Sequence, residues 1–161
     1  MRKMIFSMVL FCFSGWLHAG TAAESVMVAD AYVRAVPPGQ PNSASFMVIK
    51  NHSSESFALV GAESAVAKAL ELHTHTMKDG MMRMRQVKQI ELPAGDVVKL
   101  QPGGLHVMVI GLQQKLVPGE QVDMTLVFSD GSKLALKVPV VKLQLKMQDA
   151  GMKHDMKHKM H

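Results

Sequence analysis

Short apolar runs, separated at regular intervals by turn residues, are the feature that most constrains what this chain can fold into. Pairs such as Pro118-Gly119 and Asp130-Gly131 mark the turns. Strands at a spacing of roughly 8–12 residues with such turns are typical of a β-sandwich or barrel. The sequence therefore predicts an all-β Greek-key barrel or sandwich, in which Ser64–Leu70 forms a short helical turn. The predicted strands are Val26–Val33, Ser45–Lys50, Val97–Leu100, Leu105–Ile110, Val122–Phe128 and Lys133–Val141.

A hairpin signal lies in the middle of the chain. Asp79-Gly80 separates the runs Leu70–Met77 and Met81–Val87. Asp-Gly is a preferred pair in two-residue hairpin turns. The turn brings the strand that carries His73 beside the strand that carries Met84.

The first 23 residues have the pattern of a secretory signal peptide. Arg2 and Lys3 are followed by the apolar run Met4–Leu17, and Thr21-Ala22-Ala23 supplies the small residues of a cleavage site. We expect cleavage after Ala23 and export to the periplasm. This divides the chain into a signal peptide (1–23), a β-barrel domain (24–148) and a polar tail (149–161).

Export would remove the only cysteine, Cys12, with the signal peptide. The residues that precede Cys12 lack the small residue of a lipidation motif, so we expect no lipid anchor and no stable membrane insertion after cleavage. A blue-copper electron-transfer site needs a cysteine thiolate, so that class is disfavoured. The 18 basic residues are scattered and not interleaved with aromatics, which argues against nucleic-acid binding.

Methionine and histidine are the metal-binding side chains that remain. Twelve of the fifteen methionines and seven of the eight histidines lie beyond residue 23. Thioethers do not form disulfides in an oxidising compartment, as thiols do. Met27, Met47 and Met124 lie in alternating strand-like runs, and we expect these three to fill the core.

Four residues form the candidate site: His73, Met84, His106 and Met108. His106 and Met108 are two apart in a predicted strand, so their side chains share a face. Two imidazoles with two thioethers form a soft, neutral ligand set, which suits Cu(I) better than zinc, calcium or magnesium. No nucleophile–base pair or carboxylate pair suggests catalysis, so we do not expect an enzyme.

The spacing of these four residues resembles the signature of the periplasmic copper chaperones called PCu(A)C. Ten residues separate His73 from Met84, twenty-one separate Met84 from His106, and one separates His106 from Met108. The resemblance runs from about residue 28 to 140. One departure is Thr74, where many members carry methionine. The flanks that share the resemblance are Glu71-Leu72-His73, Gly80–Arg85, Leu92–Gly95 and Pro102–Met108.

The resemblance implies a cupredoxin-like β-barrel that binds one Cu(I) at an exposed site. It also implies delivery of copper to the dinuclear copper centre in subunit II of cytochrome c oxidase, alongside a Sco-type thiol protein. A copper-buffering or resistance protein without a dedicated acceptor is the alternative function. Loss of oxidase activity on deletion would favour delivery, and copper sensitivity with normal oxidase would favour buffering.

Accessory donors lie beside the site and in the tail. His75 shares a strand face with His73 and is either an exchange ligand or an exposed bystander. A tail of this composition does not form a core, so it is predicted to be disordered and to recruit Cu(I) or Cu(II); a stripe for a partner is the alternative. The tail donors are Met152, His154, Met156, His158, Met160 and His161.

Overall fold

The structure is a computed structural model that describes residues 20–78 and 80–142, with Lys78 described by its backbone alone. This part of the chain forms a short helix and ten strands. The elements are α1 (Ala22–Ser25), β1 (Val26–Arg34), β2 (Asn42–Asn51), β3 (Phe57–Glu63), β4 (Ala67–Lys78), β5 (Met81–Gln86), β6 (Ile90–Leu92), β7 (Val97–Leu100), β8 (His106–Leu112), β9 (Gln121–Phe128) and β10 (Lys133–Val141). No helix in the described residues is long and apolar enough to cross a membrane.

The strands form one open sheet that folds over a common core. Its order is β5-β4-β8-β2-β1-β10-β9-β3-β6, and β7 pairs with β2 beside β8. Only the pairing of β1 with β10 is parallel among the described strands. The all-β, cupredoxin-like fold class is confirmed, and β5 and β6 lie at the two ends of the hydrogen-bonded path.

The six predicted strands and the hairpin are all present. Gly80 has φ +73° in the turn between β4 and β5, a conformation that glycine adopts without steric cost. The expected helical turn over Ser64–Leu70 is wrong, because its second half is the start of β4, which pairs with β8. The sequence did not predict the strands β3 and β6 or the short helix α1.

The core confirms two of the three methionine predictions. Met47 and Met124 are buried among the valines and leucines of the core, whereas Met27 is 57 % exposed. Met27 lies on β1 between buried Val26 and partly buried Val28, so the alternation turns its side chain outward. Loose alternation in the sequence did not reveal which face of β1 is buried.

The segment before β1 packs on the domain. Ala22 is fully buried, and its backbone N–H donates to the Asp130 carboxylate at 2.7 Å. The N–H of Ala23 donates to the Ser132 hydroxyl at 3.0 Å. Cleavage after Ala23 stays a prediction; a cut there would remove these contacts. Residues 1–19 and the tail from residue 149 lie outside the described part of the chain.

Strand β5 differs from the other strands. All six of its residues, Met81–Gln86, are exposed, and within the described chain it alone among the strands supplies no residue to the buried core. Its neighbour in the sheet is β4. The hairpin of β4 and β5 therefore carries its methionines at an edge of the sheet.

Candidate metal centre

Strand register places the predicted donors on one outer face of the sheet. His73 on β4 is directly opposite His106 on β8, and the next pair on that face is Glu71 with Met108. Val107 and Val109, which alternate with the β8 donors, are fully buried in the core. His106 and Met108 therefore face away from the core while their strand is fixed to it.

His106 is nearly enclosed, with 2 % of its surface exposed. Its ring lies 6.2 Å from that of Phe46 on β2 and 5.1 Å from that of His75 on β4. Its Nδ1 lies 2.9 Å from the Gly104 carbonyl oxygen, which requires Nδ1 to carry the proton. Gly103, with φ +81°, lies in the turn that directs the Gly104 carbonyl towards His106. The other nitrogen, Nε2, is buried and without a hydrogen-bond partner among the described residues.

Burial lowers the pKa of His106 below the ordinary histidine value. The hydrogen bond to Gly104 raises this pKa in part, and the nearby charges of His75, His73 and Arg34 lower it further. The imidazole is therefore held in its neutral form at neutral pH, which is the form that binds a metal.

His73 uses its nitrogens in the opposite sense. Its Nε2 lies 2.8 Å from Oε2 of Glu71, so Nε2 donates to the carboxylate. Its Nδ1 is buried and, in the described part of the chain, makes no hydrogen bond. We call His73 Nδ1 and His106 Nε2 the open nitrogens. The two rings lie 5.9 Å apart, centroid to centroid.

The two thioethers flank the imidazoles on opposite sides. Met108 is half-buried and two residues from His106 along β8. Met84 on β5 is 47 % exposed and directly opposite His75, which makes it the diagonal neighbour of His73. Diagonal neighbours on one sheet face lie about 7–8 Å apart, within reach of long side chains. We call His73, Met84, His106 and Met108 the inner site.

An open groove of about 1010 Å³ runs along this face. Met84, His106 and Met108 line it together with His75, whereas His73 is not among its lining residues. The register thus brings the four predicted donors onto neighbouring strands, with three of them at the groove and His73 beside His106.

The donors next to one another at the inner site are a mixture of nitrogen and sulfur. The described residues hold no group of three or more His, Cys, Asp or Glu side chains arranged around an ion. The inner site offers two nitrogens, and Met84 and Met108 are the donors next to them. Such a mixed set favours a soft ion over zinc or magnesium.

Two contributors were not assigned a role from the sequence. Glu71 orients the His73 ring, and its position two residues before His73 on the same strand was the available signal. Phe46 on β2 lies against His106. Because the two residues are sixty positions apart in the sequence, no local pattern indicated this contact. Thr74, the departure from the family pattern, alternates with the donors and so lies on the other face of β4.

Residues 26–140 of the chain match the model of the LpqE-like family, whose description is that of a lipoprotein. The chain belongs to this family. The resemblance to PCu(A)C proteins is confirmed, since similar solved structures are PCuAC domains. A relative from Leifsonia xyli subsp. xyli, the lipoprotein-named Lxx21020, is 39 % identical over 122 residues, which cover 75 % of this chain and 72 % of the relative.

Two solved structures illustrate the match. The solution structure of Cu(I)-DR1885 from Deinococcus radiodurans is 35 % identical, with a TM-score of 0.62, covering 77 % of this chain and 83 % of that one. The copper-bound PCuAC domain of PmoF2 is 22 % identical, with a TM-score of 0.65, covering 76 % and 97 %. At that identity the second likeness shows the fold alone.

Proposed function

We propose that this LpqE-like protein is a Cu(I) metallochaperone that delivers copper to the dinuclear centre of cytochrome c oxidase. The observation that carries the proposal is the pair of open nitrogens, His73 Nδ1 and His106 Nε2, on directly opposed residues of adjacent strands. A buried polar atom without a partner is costly, and a bound ion would satisfy both at once.

The hydrogen bonds of the two histidines support this use. A metal-bound histidine ordinarily donates its other ring N–H to a carboxylate or a backbone carbonyl, which fixes the tautomer. His73 has the carboxylate of Glu71 in that role, and His106 has the carbonyl of Gly104. The assigned tautomers leave one open nitrogen on each ring for the metal.

Copper in its monovalent state is the ion that fits this donor set. Neutral imidazole and thioether add no charge, and thioethers favour Cu(I). The Cu(I)-bound state of DR1885, a relative at 35 % identity, supports the same choice here. Oxidation is not part of the proposed cycle, and we assign the protein no catalytic step.

Release proceeds by ligand exchange. Met84 is the most exposed donor and lies on the edge hairpin, so it leaves the ion first and an acceptor's thiolate or thioether takes its place. Met108 and the two imidazoles then dissociate in turn as further acceptor donors bind. The ion stays Cu(I) throughout, so no electron donor is needed.

Export and the partners complete the proposal. We propose that residues 1–23 direct the chain to the periplasm, and that subunit II of the oxidase, with a Sco-type thiol protein, receives the copper. The family match supports an exported protein. The tail donors from Met152 to His161 lie outside the described residues, and their recruiting role stays a prediction.

Copper transfer to a purified oxidase copper domain tests this function. Loaded wild-type protein and a His52→Ala control, changed at an exposed turn residue outside the inner site, should both transfer Cu(I). Met108→Leu should transfer less because it loads less. No transfer from the fully loaded wild type would contradict delivery. In cells, copper sensitivity with normal oxidase on deletion would favour the buffering alternative.

A further inference from the structure

A second set of soft donors lies on the hairpin of β4 and β5, next to the inner site. His75 is directly opposite Met84, and the following pair on the same face is Met77 opposite Met82. Alternation along both strands puts all four side chains on the face that carries the inner site. We call His75, Met77, Met82 and Met84 the outer block.

The spacing within the outer block suits a single ion. Directly opposed residues on one face have Cβ atoms about 4.5–5.5 Å apart. Methionine is unbranched with three rotatable bonds, so its sulfur adapts to a position between the two pairs. One imidazole and three thioethers can therefore converge above the hairpin.

Exposure of these side chains is the second observation. Met77 and Met82 are 69 % and 61 % exposed, although both are apolar. Neither contributes to the buried core in the described chain. Packing therefore does not account for a pair of facing methionines at the sheet edge.

His75 connects the outer block to the inner site. Its ring stacks on that of His106 with a centroid distance of 5.1 Å and an interplanar angle of 29°. It also lines the groove with Met82, Met84 and His106. Three members of the outer block therefore share one groove with His106 and Met108 of the inner site, whereas Met77 is not among its lining residues.

We propose that the outer block is a second Cu(I) position, through which the ion enters the inner site. Met84 belongs to both sets, since it is opposite His75 and diagonal to His73. An ion moves inward when Met84 keeps its bond while His75, Met77 and Met82 are exchanged for His73, His106 and Met108. This direction of travel rests on the proposed function, whereas the existence of the outer position does not.

Methionine methyl NMR of the full-length protein, titrated with Cu(I) alone under anaerobic conditions, tests the proposal. The first equivalent should shift the methyl signals of Met84 and Met108. The second should shift those of Met77 and Met82, and should shift that of Met84 again because Met84 belongs to both sets. Met81 should not move, because it alternates with Met82 and lies on the opposite face of β5. Failure of the first shift counts against the proposed function, and failure of the second against the outer position.

Matched variants separate binding from a general effect of the edge strand. Met77→Leu with Met82→Leu should lose the second-equivalent shift of Met84 and load the inner site more slowly from a chromogenic Cu(I) donor complex, at unchanged inner-site affinity. Met81→Leu, on the same strand and also exposed, should behave as wild type. The proposal is overturned if the second equivalent shifts only methionines of the tail, or if the double variant loads as fast as Met81→Leu.

Discussion

The β8 side and the β5 side of the candidate site differ in how far their strands are anchored in the buried core. On β8, the donors alternate with Val107 and Val109, which are fully buried, and His106 is itself enclosed by Phe46 and His75. On β5, all six residues are exposed and none enters the buried core of the described chain.

This difference divides the tasks of holding and exchanging an ion. A donor on a core-backed strand keeps its position whether or not the ion is present, which gives affinity through preorganisation. A donor on an exposed edge strand moves at little cost, because few buried contacts restrain it. Affinity should therefore depend mostly on the donors of β8, His106 above all, and exchange rate on the thioether of Met84.

The largest effect is expected from the buried imidazole. His106→Ala removes one open nitrogen, so Cu(I) affinity should fall by more than the roughly 10–100-fold typical of losing a ligand's hydrogen-bonding partner. Competition titration with a chromogenic Cu(I) chelator measures this. His52→Ala, at an exposed turn, should bind as wild type. If both variants lost the same Cu(I) affinity, His106 would contribute no more to binding than an exposed histidine outside the inner site.

Loss of the exposed thioether should affect release more than stability. Met84→Leu keeps the side-chain volume and removes the donor, so the rate of Cu(I) release should rise roughly tenfold, equivalent to about 1.4 kcal/mol. The free energy of unfolding of the apo protein should change by less than about 0.5 kcal/mol, because the site is on the surface. Met81→Leu is the control on the other face of β5. A release rate that matches the control would show that Met84 is not a ligand.

A smaller effect is expected at the residue that orients His73. Glu71→Ala removes the acceptor of the Nε2–H, so Cu(I) affinity should fall by roughly tenfold, the lower end of the range for such partners. Glu71→Gln keeps an acceptor oxygen and should lose less. The order of the three affinities, from the same titration, is the result to check. If Glu71→Gln bound Cu(I) more weakly than Glu71→Ala, the contribution of Glu71 would be its charge and not the orientation of the His73 ring.

The smallest effect is a pH dependence of stability. Burial lowers the pKa of His106 in the folded chain, whereas in the unfolded chain it is about 6.5. Below pH 6.5 the unfolded state therefore binds more protons, and the free energy of unfolding decreases as the pH falls from 7 towards 5. Urea titrations of the apo protein across this range measure it. His106→Asn should flatten the slope; a slope that persists in His106→Asn would assign it to other groups.

The parts of the fold that could be predicted were those with local signals. The Asp79-Gly80 pair predicts the hairpin of β4 and β5. The alternation of residues in β8 and the glycines before it predict that strand. Strands β3 and β6 have turn residues beside them but only a weak alternation of their own, and β3 is stabilised by pairing with β6 and with β9. Their existence depends on distant partners, so a local reading did not find them.

The same division holds for the candidate site. The two-residue spacing of His106 and Met108 shows directly that they share a strand face. The hydrogen bonds that leave one nitrogen open on each ring depend on Gly104 and on the Glu71 rotamer, which are properties of the folded chain. The sequence therefore indicates which side chains are candidate copper ligands, whereas the choice of ring nitrogen needs the structure.

That choice of nitrogen provides the most direct test of the account. Long-range ¹H–¹⁵N correlation spectra of the histidine rings identify the protonated nitrogen, and Cu(I) is diamagnetic and leaves them readable. With one equivalent of Cu(I), His73 should be bound through Nδ1 and His106 through Nε2, with the other nitrogen of each ring protonated. Binding through the same nitrogen type in both rings, or ring signals unchanged by Cu(I), would contradict it.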